Sequence, residues 1–114
     1  MNDSVLNTIK KMLGIHEDDS CFDMDIIVLI NNSLSIASQF CNQISSELTI
    51  NSSNDLWSSV TNNISVLNLI KTYIFLKTKM VFDPPANATV IEANKITISE
   101  LESRLLYISE CYIQ

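Results

Sequence analysis

Both prolines of this chain stand side by side, in Phe82-Asp83-Pro84-Pro85, directly after a long apolar run, and a single glycine, Gly14, occurs elsewhere. A proline has no N–H to give to a helix, clashes with the turn before it and pushes its predecessor out of the α region. Any helix arriving here must therefore end at about Phe82. Two in succession restrict φ twice and favour an extended corner, which sets the direction in which the next element leaves. With helix breakers almost absent from the rest of the chain, the expected fold is all-α: a small bundle of four main helices.

The apolar periodicity places them. Asn2 or Asp3 can cap a first helix whose positions Val5, Leu6, Ile9, Met12 and Leu13 recur at three and four, with Gly14 as its stop. Ser20 and Asp23 resemble a capping box, with acids massed where the next helix dipole is positive, so a second helix starts near Cys21. At 100° per residue Ile26, Ile27, Leu29, Ile30, Leu34, Ala37, Phe40, Cys41 and Ile44 share one face, opposite Asn31, Ser35, Ser38, Gln39 and Asn42. The stretch SSELTINSSND then breaks the period as a Ser/Asn-rich loop, with a turn or two of short helix at DLWSSV. From Ile64 to Phe82 the pattern is apolar almost all round, which marks the most buried, central helix. From about Asn87 a heptad series of Ile91, Asn94, Ile98, Leu101, Leu105, Ile108 and Tyr112 predicts a long C-terminal helix with one asparagine on its seam.

Length and composition narrow the function. A chain of 114 residues, 46% hydrophobic, reads as one domain over 1–114 with a single core. Its 13 acidic against 7 basic residues give a net charge of −6, which disfavours a reader of nucleic acid and attraction to anionic membranes. Cys21, Cys41 and Cys111 are odd in number, widely spaced and without a C-x-x-C pair, so reduced thiols in a cytoplasm are expected rather than a disulfide framework or zinc site. No leader is visible at the N-terminus, and the uncharged stretch from Ile26 to Ser46 is too rich in Asn, Ser and Gln to sit in lipid.

No residue pattern supports an enzyme, a metal site or a cofactor. Glu17, Asp18, Asp19, Asp23 and Asp25 lack the glycine and distal glutamate of a calcium loop and read as a solvated acidic turn. His16 has no nucleophile at an interpretable spacing. Interface candidates are few. Phe75 projects into the polar stripe of Asn68, Lys71, Thr72 and Lys79, while Lys77 projects into the apolar side, there to snorkel outward or pair with an acid. Trp57 is a core anchor or a contact for a neighbouring subunit, and Tyr73 a core residue whose hydroxyl needs a partner.

The segment LNLIKTYIFLKTKMVFDPPANATVIEANKITISELESRL resembles the signature region of the head-tail connector, or adaptor, family of long-tailed bacteriophages and prophages. The shared pattern is a Lys-Thr-Tyr-Ile-x-Leu-Lys helix, a Phe-Asp-Pro-Pro corner and a terminal Glu-Leu-Glu-x-Arg-Leu helix. The opening IKKMLGIHEDDSCFDMDIIVLIN is similar to the family's Leu-Gly-Ile, acidic turn and Asp-x-Asp-Ile, and only the Ser/Asn-rich loop is unmatched. The resemblance implies a structural virion protein of the neck, assembled in the bacterial host cytoplasm as a homo-oligomeric ring of twelve subunits on the portal protein. Such a ring extends the DNA channel and docks stopper and tail-completion proteins, and DNA passes through without sequence-specific binding. It carries Tyr73, Phe75, Lys77 and the corner Asp83, Pro84 and Pro85 over as matching positions. The alternative is a small acidic helical module that sequesters a basic protein partner.

Overall fold

A computed structural model describes residues 3–45 and 48–111, with the side chains of Phe40, Glu110 and Cys111 outside the description. Asn2 and Tyr112, expected as a cap and a seam position, also lie outside it. The described elements are α1 (Val5–Met12), α2 (Asp23–Phe40), a 3-10 turn at Trp57–Ser59, α3 (Ile64–Phe82) and α4 (Ala88–Cys111). Four α-helices and no strand make an all-α bundle among the described residues, as expected.

Helix α1 is capped by Ser4, whose Oγ accepts the Asn7 N–H at 3.2 Å. Asp3 is not the cap, because its carbonyl accepts the Trp57 N–H at 3.1 Å while Val5 N–H reaches the Asp55 carbonyl at 3.0 Å. This antiparallel pairing holds Ser4 extended beside Leu56. At the other end Gly14 takes φ +82, Ile15 N–H returns to the Lys10 carbonyl and Gly14 N–H to that of Lys11. That double bond is the Schellman stop that the glycine predicted.

Helix α2 departs from expectation at its start. It begins at Asp23, without a side-chain cap, because residues 16–22 fold as tight turns in which Ser20 gives its carbonyl, not its hydroxyl, to Asp23 N–H. Asp23 is occupied elsewhere: its Oδ1 lies 2.9 Å from Nζ of Lys10, which also donates to the Glu17 carbonyl at 3.0 Å. Lys10 is 1% exposed, so α1 and α2 are tied by a buried cation. The inward face of α2 holds Ile26, Ile27, Ile30, Leu34 and Ala37, continued past the helix by Cys41 and Ile44.

The largest correction concerns the Ser/Asn-rich loop, which is part of the core. Ile50, Trp57 and Val60 are buried beneath it. Asn31 of α2 grips the Ile50 backbone from both sides, donating to its carbonyl at 2.9 Å and accepting its N–H at 2.8 Å. The Asp55 carboxylate closes the neighbouring turn by accepting the N–H groups of Asn51 and Ser52. Trp57 is wholly buried, its indole N–H donating to Thr8 Oγ1 at 3.1 Å and its ring lying 5.5 Å from Lys71 Nζ.

Asn63 caps α3 by accepting from Ser65 and Val66 N–H, and the helix runs to Phe82, where the corner stops it. It packs against α1, α2 and α4. Asn87 then starts α4 by accepting the Thr89 N–H at 2.8 Å. The heptad seam is deepest at Leu101 and Leu105, which are buried, while Ile91, Asn94, Ile98 and Ile108 are only half covered and the neighbouring Ser109 is buried in place of Ile108. The Ser109 hydroxyl accepts the Asn42 N–H at 3.0 Å, pinning the end of α4 to the exit of α2. The whole measures 44 × 36 × 18 Å, a slab about two helices thick.

Because Trp57 joins the loop to both α1 and α3, Trp57→Ala is expected to cost about 3–5 kcal/mol in denaturant unfolding. A loss below about 1 kcal/mol would show the loop to be an independent lid.

Candidate interaction surface

Among the interface candidates, the bundle hides two and displays two. Trp57 and Tyr73 are both 0% exposed, so as folded neither has surface to offer a neighbouring subunit. Of the two readings of Trp57, the fold has it as a core anchor, a full-sized indole held inside with its N–H satisfied by Thr8. Tyr73 sits inside α3 with its hydroxyl donating to Glu102 Oε2 of α4 at 2.9 Å. Phe75 is half-buried and packs against the core from its edge, so the stripe that it shares with Asn68, Lys71 and Thr72 is a border rather than an open face. Lys77 is also half-buried; its Nζ lies 5.9 Å from the Tyr73 ring, one turn back on the same helix.

The corner is at the surface. Asp83 and Pro84 are exposed and Pro85 half-buried, and Asp83 Oδ2 lies 3.4 Å from Lys79 Nζ. On the polar face of α2, Asn32, Ser35 and Gln39 are exposed, whereas Asn31 is committed to Ile50.

Sequence reasoning missed two kinds of residue. Lys10 was hidden because it carries a charge, although its spacing of four from Leu6 places it on the apolar stripe of α1. The exposed apolar side chains Met24, Val28, Ile96 and Tyr107 lie off the faces that the periodicity marked, and Ile64 and Val81 lie in the stretch read as apolar all round; only the relative placement of the helices leaves them outside.

Reactive chemistry is sparse. Burial pushes the Cys41 thiol up, and a hydrogen bond from the exposed Cys21 to Asp19, with that carboxylate's charge, pushes Cys21 up as well. Both thiols stay protonated near neutrality and are poor nucleophiles. His16 is exposed, and its Nδ1 accepts the Asp18 N–H at 3.2 Å. Among the described residues no three His, Cys, Asp or Glu side chains converge as a metal site. No helix is long and apolar enough to cross a membrane among those residues. An open groove of about 990 Å³ beside α1, lined by Asp3, Asn7, Lys11, Ile15, His16, Glu17 and Lys71, mixes both signs of charge with apolar surface.

Tyr73 supplies a pH signature. Desolvation first, then the hydrogen bond and charge of Glu102, hold its phenol well above the usual tyrosine range. The folded chain keeps this proton where the unfolded chain has lost it, so the contribution is complete below pH about 10 and declines as pH rises beyond it. Tyr73→Phe should therefore cost about 1–2 kcal/mol at neutral pH and flatten the alkaline limb of a stability–pH profile. An unchanged limb would show that the hydroxyl ionises as freely in the fold as out of it.

The sequence model of a family described as phage connector protein matches residues 5–111, from the first residue of α1 to the last of α4. No curated protein and no solved structure gave a significant match.

Proposed function

The chain belongs to the phage connector protein family, and from that membership we propose that it is a head-tail connector subunit of the virion neck. Copies assemble as a twelve-membered ring on the portal protein, continue the DNA channel and present the surface on which stopper and tail-completion proteins dock. The observation that carries this reading is the family match across all four helices.

Surface chemistry supports it. A slab 18 Å thick with apolar side chains left on its outside is suited to standing edge to edge with copies of itself. Its net charge of −6 lets duplex DNA slide past, since gripping phosphates needs lysine and arginine. Phe75 and Lys77, the two candidates with accessible surface, contact a neighbouring subunit or the portal. The corner Asp83-Pro84-Pro85 holds α4 at one angle to α3, so that every copy presents the same outline.

Mixing the purified chain with the portal protein of its own phage or prophage, imaged by negative-stain electron microscopy, tests the reading. A new ring layer on the tail-facing end of the portal is the expected result, and a portal that stays bare over a wide concentration range overturns it. Phe75→Ala should thin or abolish that layer while lowering stability by only about 2 kcal/mol, less than a fully buried ring would lose. A complete layer with this variant would confine Phe75 to packing.

A further inference from the structure

The end of the bundle where α3 gives way to α4 collects apolar side chains that the chain does not cover. An edge-to-face pair of Phe22 and Phe82, with centroids 5.4 Å apart and planes at 76°, joins the start of α2 to the end of α3. The proline corner keeps the first turn of α4 at this same end. Met24 and Val81 here are 73% and 68% exposed, and Val28, Val90 and Phe22 itself are exposed as well. These five come from the residue before α2 and its first two turns, the last turn of α3 and the first turn of α4. Scattered exposed apolar residues are ordinary, but a group gathered around an aromatic pair at one end marks a contact surface.

The rim indicates the chemistry of what covers it. Carboxylates flank these side chains along the chain: Asp25 beside Met24, Asp83 two residues after Val81 and Glu92 two after Val90, with Asp19 and Asp18, the latter 3.6 Å from His16 Nδ1, in the turns before Phe22. Nearby cations are already engaged, Lys79 with Asp83 at 3.4 Å, Lys95 with Glu92 at 3.5 Å and Lys10 with Asp23 at 2.9 Å. Among the described residues no lysine or arginine pairs with Asp19 or Asp25. A second copy of this chain is a poor occupant, because Lys71 and Lys77 also lie over rings of their own fold, leaving Lys11 and Arg104 of the seven basic side chains.

We infer that this end of the bundle is a docking surface for a basic amphipathic helix of a different protein, its apolar side covering Phe22, Met24, Val28, Val81 and Val90 and its lysines or arginines meeting the carboxylate rim. The inference goes beyond the connector reading and rests on surface chemistry alone, so a bare portal would leave it standing. It is helix-in-groove recognition with charge fixing the orientation.

The test uses the full chain and a fluorescein-labelled amphipathic helical peptide of leucine and lysine, followed by anisotropy, with a leucine–glutamate peptide as control. The lysine peptide should bind and the glutamate peptide should not. Met24→Ser with Val81→Ser, at positions too exposed to hold the fold, should weaken binding at least about tenfold. Asp25→Lys with Asp83→Lys should weaken it similarly and flatten its salt dependence. Ile96→Ser with Tyr107→Ser, on the outward face of α4, should change nothing. Undiminished affinity in both corner pairs, equal binding of the two peptides, or loss confined to the α4 pair would overturn the inference. So would a chain that self-associates in sedimentation and is made monomeric by Met24→Ser with Val81→Ser, because the occupant would then be a second copy.

Discussion

Helix α3 is apolar around most of its circumference, and the fold is the arrangement that covers it. Helices α2 and α4 take two sides and α1 reaches a third. Trp57 packs nearby, with Lys71 of α3 over its ring. Burying Val66, Leu67, Ile70, Tyr73, Ile74 and Leu76 together stabilises the bundle far more than any single hydrogen bond, since each such side chain contributes about 1.5–3 kcal/mol when removed from water. The Asn–Ile50 clamp, the Lys10–Asp23 pair and the Ser109 latch then select one arrangement of the covering pieces. Their value is geometric, because a buried ion pair is repaid little in net stability yet tolerates few alternative placements of its partners.

Features that depend on neighbours in sequence were legible in it. The limits of α3 follow from an apolar run that meets two prolines, and the end of α1 from a lone glycine free to take positive φ. What could not be read there depends on partners far along the chain. The Ser/Asn-rich loop has no period, so nothing local discloses that Ile50 is core or what holds Trp57; their anchors are Asn31 on α2 and Thr8 on α1. The expected capping box failed for the same reason: Asp23 faces both its own helix start and Lys10, and the buried ammonium wins over backbone groups that water can serve. Of the site candidates, Phe75 and Lys77 kept some surface, whereas Trp57 and Tyr73 showed only that an aromatic with a polar tip will be buried when that tip finds a partner.

The same geometry separates assembly from recognition. Phe75 and Lys77 lie along the body of α3, where a neighbouring copy in a ring would pass, while the apolar group around Phe22 and Phe82 lies at the end of the slab. Under the proposed ring reading, the flank and the end of the slab are free for different contacts.

The pairing of the segment before α1 with the segment before the 3-10 turn also couples two stretches that lie far apart along the chain. Helices α3 and α4 are joined by a short corner, so their docking closes little chain, and α1 meets Trp57 across a separation of 49 residues. Closing so long a loop before α2 and α3 have come together carries an entropic cost that nothing yet repays. Contact with α2 through Lys10 and Asp23 closes far less chain, so α1 has a short-range anchor as well as this long-range one. Because the Trp57–Asp3 and Val5–Asp55 backbone bonds join the two segments, opening either one is expected to expose amides of the other.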